Sequence, residues 1–133
     1  MIKRSLIRRE DGQAAAEMAL ILPILAAILL GIAQFGIAFN NYITLTDATR
    51  AGARKAAVSR FLDDGGASAK ATVVSAASNL NSPPLVVTVS ASPSWTVPGS
   101  DVTVTATYPY SINILGFTVK SGNLTSTTTE KLE

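Results

Sequence analysis

The chain has 133 residues, which suits one membrane anchor and one small domain, and 47 % of them are hydrophobic, with a mean hydropathy of +0.32. The formal net charge is only +2, and the basic residues lie mainly beside an apolar run, so charge gives no argument for nucleic-acid binding. Cysteine and histidine are both absent. Their absence excludes thiol nucleophiles, imidazole bases and Cys/His metal sites.

The apolar run near the N-terminus is long enough to cross a membrane. Residues 18–46 contain no charged side chain, and residues 18–33 contain no polar one. A transmembrane helix needs ~20 largely apolar residues, and residues 18–39 meet that requirement. Sixteen consecutive residues without a polar side chain disfavour a buried soluble helix, and the apolar core of a secretory signal peptide has only ~7–15 residues. The run therefore predicts a single membrane-spanning helix.

Basic residues on both sides of the run bear on its orientation. Lys3, Arg4, Arg8 and Arg9 precede it, and a similar number of basic residues follow it within the next turns of helix. The positive-inside comparison is therefore nearly balanced. The short basic N-terminus favours a cytoplasmic location, which leaves the Thr- and Ser-rich remainder outside the cytoplasm.

Glu17 is an isolated carboxylate at the start of this run, five residues after Gly12. An ionisable side chain at the edge of hydrocarbon is costly to bury, so it indicates a function and needs a cationic partner. The most economical partner is a new α-amine made by cleavage of the chain after Gly12. The alternative is that Glu17 merely lies among the lipid headgroups.

Three stretches of sequence carry a family resemblance: GQAAAEMALILP at residues 12–23, GIAQFG at 31–36 and TLTDATRAGAR at 44–54. The first resembles a class III (prepilin-type) signal, and together they resemble the TadE-like pseudopilins of tight-adherence (Flp) pilus systems. The resemblance covers roughly residues 9–60. Two positions depart from the family pattern. Met18 stands where an aromatic residue is frequent, and Gln34 stands where an acidic one is common.

The resemblance implies processing by a membrane-bound prepilin peptidase. The peptidase would cut between Gly12 and Gln13, where a larger side chain than glycine would crowd a narrow cleft. The cytoplasmic leader, residues 1–12, would leave. Glu17 would then lie one helical turn from the new amine, and it would pair with that amine or with a neighbouring subunit's amine during assembly.

The function implied is that of a minor pilin-like structural subunit in the bacterial inner membrane, used in pilus assembly, initiation or at the pilus tip. Its partners would be the membrane, the prepilin peptidase, other pilin and pseudopilin subunits, and the inner-membrane assembly platform. Two alternatives stay open. One is a major filament subunit, and the other is a permanently membrane-tethered module that binds an envelope partner.

A long helix is predicted over residues 13–62, membrane-embedded to about residue 39, because no helix-breaking cluster occurs before residues 63–66. Ala48, Gly52 and Ala56 form a row of small residues that permits close helix packing. Either a neighbouring helix or the chain's own C-terminal part could occupy that row. Asp47 and Arg50 are spaced for an i,i+3 ion pair.

Residues 63–133 are predicted to form an extracytoplasmic domain with a short helix and a small antiparallel sheet. Helical spacing favours residues 67–80 for the helix, and strict alternation favours strands at 85–91 and 102–108. Residues 111–119 are predicted to form a connection, residues 120–123 a turn and residues 124–129 a last strand. The predicted fold class is therefore α+β, with a long pilin-like N-terminal helix. The sheet edges are either ordinary or available for strand addition by another chain.

No catalytic chemistry is predicted. The carboxylates after Glu17 are scattered, and no nucleophile elbow, phosphate-binding loop or dinucleotide fingerprint occurs in the sequence. The stretch Asp63-Asp64-Gly65 lacks the spacing of a calcium loop. We expect no enzymatic activity, cofactor, metal or nucleic-acid partner.

Overall fold

The computed structural model describes residues 7–59, 66–80 and 84–133, with the backbone alone for residues 7–11. In chain order these form helices α1 (Ile7–Ala57) and α2 (Ala67–Ala76), then strands β1 (Val86–Ser92), β2 (Asp101–Ile114) and β3 (Phe117–Lys131). The strands make one antiparallel sheet in the order β1-β2-β3. The predicted α+β layout is thus confirmed. Of the helix-breaking cluster predicted at residues 63–66, only Gly66 lies within the described residues.

Helix α1 dominates the molecule. Its 51 residues correspond to about 75 Å at 1.5 Å per residue, and Pro23 lies inside it without ending it. Within the described residues, the segment Gly12–Ala57 is long and apolar enough to cross a membrane, and its most apolar window has a mean hydropathy of 2.4 with none of it buried. The N-terminal half of α1 therefore projects from the rest of the fold.

The C-terminal end of α1 lies at Ala57, earlier than the predicted end at Leu62. The last carbonyls of a helix need partners outside the helix. Here the Ala57 carbonyl accepts a hydrogen bond from the Glu133 amide at 3.0 Å, and the Lys55 carbonyl accepts one from the Ser59 hydroxyl. The chain's last residue thus helps to set the end of its first helix, which no local sequence pattern reveals.

The β2–β3 hairpin is longer than predicted. Residues 111–119, expected to be a connection, form the ends of β2 and β3 instead, and the true turn is Leu115 and Gly116, with φ of 51° and 87°. Two successive left-handed residues are typical of a two-residue type I′ hairpin. The predicted turn at 120–123 is also wrong. Gly122 lies inside β3 opposite Tyr110, where a Cβ would come within 3.2 Å of the tyrosine ring.

The core lies between one face of α1, helix α2 and the inner face of the sheet. Alternation along β2 buries Val102, Val104 and Ala106 and leaves the intervening threonines outside, where Thr103 pairs with Thr129 across the strands at 3.0 Å. The full buried apolar cluster comprises Leu45, Ala48, Ala53, Ala56, Ala69, Val73, Ala77, Leu80, Val87, Val102, Val104, Ala106, Tyr108 and Leu132. Because α1 supplies part of this core, its C-terminal half is fixed to the domain.

A buried hydroxyl cluster joins α1 to β3. The Thr49 hydroxyl lies 3.0 Å from the Ser126 hydroxyl, donates to the Thr46 carbonyl at 2.8 Å and accepts from Thr128 at 3.3 Å. Polar side chains in a core are tolerated when they are fully hydrogen-bonded, and then they fix one arrangement. This cluster sets the position of α1 against the sheet.

Candidate processing and assembly site

The candidate site lies near the start of α1, where Gln13 and Glu17 are neighbours on one helical face. The Gln13 side-chain amide, Nε2, donates a hydrogen bond to Glu17 Oε1 at 3.0 Å. Both side chains are exposed. The contact follows from helix geometry, since residues four apart lie one turn from each other. It places the Glu17 carboxylate beside the residue that the sequence predicts as the mature N-terminus.

Gly12 precedes this pair and is fully helical. No described atom outside its own helical turn lies within 4 Å of the place where a Cβ would stand, and its φ is not positive. A glycine in a helix interior costs about 1 kcal/mol relative to alanine. Neither packing nor backbone conformation within the described chain therefore accounts for glycine at position 12.

The surface that follows Glu17 is apolar on all sides. Residues 18–39 expose large apolar side chains around α1, and no charge interrupts them before Asp47. Soluble proteins rarely expose contiguous apolar surface of this extent, so lipid or other apolar helices must cover it. The side chains concerned, each 42–74 % exposed, are Met18, Leu20, Ile21, Leu22, Ile24, Leu25, Ile28, Leu29, Leu30, Ile32, Phe35, Ile37 and Phe39.

The small-residue row of Ala48, Gly52 and Ala56 lies on the opposite, domain-facing half of α1. All three residues are buried. A Cβ on Gly52 would stand 2.3 Å from Val73 Cγ2 of α2 and 3.3 Å from the Ala69 carbonyl oxygen. In this conformation the chain's own α2 and sheet occupy the row. The predicted ion pair of Asp47 and Arg50 is present nearby at 3.5 Å, with both side chains largely exposed.

The face of α1 that packs on the domain extends further toward the N-terminus than the predicted row of Ala48, Gly52 and Ala56. Phe35, Ala38 and Tyr42 line one cleft together with residues of the β2–β3 hairpin, and Gly31 faces Ile114 of the same hairpin. The sequence contains a pattern that indicates this longer packing face. Alternating steps of four and three residues connect positions 31, 35, 38, 42, 45, 49, 52 and 56.

Among the residues that the structure describes, no group of three or more acidic side chains could hold a metal ion. Asp47 and Asp101 each form an ion pair. Asp101, for example, accepts from Lys131 Nζ at 2.8 Å on the outer face of the sheet.

Comparison with protein families gives one match. Residues 12–54 match the family described as TadE-like protein. The match includes Gly12, Gln13, Glu17, Ala48 and Gly52, whereas Ala56, α2 and the whole sheet lie outside it. Comparison with curated proteins and with solved structures gave no match. The resemblance predicted from the sequence is therefore confirmed over the N-terminal helix.

Proposed function

We propose that this chain, which is TadE-like over residues 12–54 and thereby associated with the tight-adherence pilus, is a minor pilin-like subunit processed by a prepilin peptidase between Gly12 and Gln13. The observation that carries the proposal is the 3.0 Å contact of Gln13 with Glu17 at the start of an exposed apolar helix. It supplies a carboxylate in the place where cleavage would create a positive charge.

Cleavage would change the charge at this end of α1 in two ways. It would give Gln13 an α-amine, one turn from the Glu17 carboxylate. It would also remove the charged leader, in which Lys3, Arg4, Arg8 and Arg9 outnumber Glu10 and Asp11. Basic residues hold a helix end at the cytoplasmic headgroups. Losing them frees α1 to leave the bilayer and enter a helical assembly.

The conformation of Gly12 fits a cleavage site. The bond between Gly12 and Gln13 lies inside α1, which begins at Ile7, so a peptidase must locally unwind the helix to reach it. Glycine weakens the helix there by about 1 kcal/mol relative to alanine. Its open surroundings give no packing reason for glycine among the described residues, which supports a requirement for a small residue set by a second protein.

The mature N-terminus tests the proposal directly. Mass spectrometry of native material, from membranes and from sheared filaments, should find chains that begin at Gln13. Residues 1–12 still attached throughout, in cells with an active peptidase, would favour a permanent tether instead. A cyclised, uncharged Gln13 would confirm cleavage but contradict the ion pair. Low abundance relative to the main filament protein would identify a minor subunit, and high abundance a major one.

Gly12→Val should block leader removal. The branched side chain would crowd the peptidase cleft, so uncut chain should accumulate in the membrane, measured as the ratio of uncut to mature chain by immunoblot. Gly36→Val is the matched control, because Gly36 is also exposed in α1 with open space around it. That variant should be processed like the wild type. Efficient leader removal in Gly12→Val would refute the site.

A further inference from the structure

The β2–β3 hairpin extends beyond β1 and runs along α1 toward its apolar half. β1 pairs with β2 only as far as Thr107, whereas β2 and β3 stay paired to the turn at Leu115. Beyond Thr107, hairpin residues Tyr108 to Ser111 enclose a cleft of about 310 Å³ with α1 residues that include Gln34 and Asn41. The hairpin therefore runs alongside α1 toward the N-terminus of that helix instead of turning away from it.

The far end of the hairpin reaches the apolar stretch of α1. Ile114 Cδ1 lies 3.5 Å from the position of a Cβ on Gly31, and Gly31 is fourteen or more residues from any charge in the sequence. We name residues 112–119 the hairpin tip. The tip is thus placed beside the helix segment that is apolar enough to cross a membrane.

The tip itself presents an apolar surface. Leu115, Phe117 and Val119 are 62 %, 77 % and 63 % exposed, and no residue from 102 to 119 is charged. The first charge after the tip is Lys120, which is also exposed. Three large apolar side chains next to an apolar helix form one continuous surface, and a lysine at its border is typical of a segment that lies at a membrane surface.

The polar side chains of the tip bond to each other. The Thr118 hydroxyl donates to Asn113 Oδ1 at 2.7 Å, and Asn113 Nδ2 donates to Ser111 Oγ at 3.3 Å. Such mutual bonding lowers the cost of removing these groups from water. Among the described strands, however, none pairs with the β2 edge beyond Thr107. Open strand edges are excluded from the hydrocarbon core, so the tip belongs at headgroup depth.

The length of the helix shows which residues this depth would place at the inner side of the bilayer. If Gly31 lies at the outer boundary of the hydrocarbon, ~30 Å at 1.5 Å per residue places the inner boundary about 20 residues earlier, near residue 11. Arg8 and Arg9 then lie at the level of the cytoplasmic headgroups, and Glu17 lies about six residues, or ~9 Å, inside the inner boundary. Gln34 and Asn41 lie outside the hydrocarbon. The basic residues before α1 crosses the bilayer and Gln34 after it thus lie outside the hydrocarbon, whereas Glu17 lies inside it.

We propose that the hairpin tip inserts Leu115, Phe117 and Val119 among the headgroups of the outer lipid leaflet, and that the membrane-spanning part of α1 ends near Gly31. The end of the sheet that carries the hairpin tip is then held against the bilayer next to α1. This proposal depends on α1 crossing a bilayer and not on cleavage of the leader, so the uncut chain is sufficient to test it.

The absence of cysteine makes a site-specific test possible, because each introduced thiol is the only one in the chain. The full chain is reconstituted in vesicles of phosphatidylethanolamine and phosphatidylglycerol with an environment-sensitive fluorophore at one of three positions. Phe117→Cys reports on the tip, and Ile24→Cys on the apolar part of α1. Val97→Cys is the matched control, an exposed apolar residue in the loop before β2, at the opposite end of that strand.

The three labels should separate into two groups. Nitroxide lipids should quench the labels at 24 and 117, with the label at 117 quenched more by shallow than by deep nitroxides. Aqueous iodide should quench only the label at 97. A label at 117 that behaves like the one at 97 would overturn the proposal, and so would iodide access at position 24, since α1 would then not span. Disulfide-linked dimers of Phe117→Cys at high lipid dilution would show that a second copy covers the tip, which also overturns it.

Discussion

Gly52→Ala should lower the free energy of unfolding by about 1–3 kcal/mol, although alanine is the better helix former. Helix propensity alone would favour alanine by about 1 kcal/mol. The added Cβ, however, would stand 2.3 Å from Val73 Cγ2 and 3.3 Å from the Ala69 carbonyl oxygen. Valine is stiff about χ1, and the carbonyl belongs to the α2 backbone, so neither can move aside without shifting α2. The loss should appear in urea unfolding in detergent, followed by the near-ultraviolet signal of Trp95.

A double-mutant cycle isolates this contact. Val73→Ala alone should destabilise by about 2 kcal/mol, because Val73 is fully buried. Adding Gly52→Ala to it should then cost little, since the obstructing methyl is gone, and the two effects should be non-additive by about 1 kcal/mol or more. Gly36→Ala is the control in the same helix, with no atom within 4 Å of the new Cβ. Additive losses, or equal losses at Gly36 and Gly52, would contradict the packing described here.

The parts of the fold that follow from local pattern could be predicted. An uninterrupted helical stretch and a change to alternation after residue 84 are both visible in the sequence, and they correspond to α1 and to the inner face of β2. The resemblance of residues 12–54 to TadE-like proteins also depends on local sequence, and the family comparison confirms it.

One error arises because local composition misleads, and the others concern features that depend on distant contacts. The hairpin turn at Leu115 was missed because leucine rarely adopts positive φ, while the polar stretch at 120–123 has the composition of a turn. Gly122 stays in the strand because it makes room for the Tyr110 ring. Likewise, α1 ends at Ala57 where the Glu133 amide reaches its carbonyl. None of these partners is near in sequence.

The candidate site was only partly predictable. Gly12 and Glu17 indicate the candidate processing and assembly site in the sequence. The four-residue spacing of Gln13 and Glu17 implies that these two side chains share a helical face. The sequence left open which partner occupies the small-residue row, and the structure fills it with α2 and the sheet. A consequence follows for assembly. In the assembly proposed above, neighbouring subunits would contact α1 through its exposed apolar half, on the N-terminal side of the segment that the hairpin covers.

Glu17→Ala should leave leader removal largely intact and strongly reduce incorporation into filaments. In the processed chain the Gln13 amine would lose its anionic partner, and an unpaired charge in hydrocarbon costs roughly 2.5 kcal/mol or more. We therefore expect an incorporation defect of about tenfold or greater, since each 1.4 kcal/mol is a factor of ten. The measurement is the ratio of this subunit in sheared filaments to mature subunit in the membrane.

Glu17→Gln is the control that separates charge from hydrogen bonding. Glutamine has nearly the same shape as glutamate, and its carbonyl can still accept from Gln13 Nε2, as Glu17 Oε1 does in this structure. If the carboxylate acts through its charge, Glu17→Gln should fail almost as fully as Glu17→Ala. Normal incorporation of Glu17→Gln would reduce the role to hydrogen bonding, whereas normal incorporation of Glu17→Ala would remove any assembly role. Because both variants retain Gly12, a processing defect in either would place Glu17 in peptidase recognition instead.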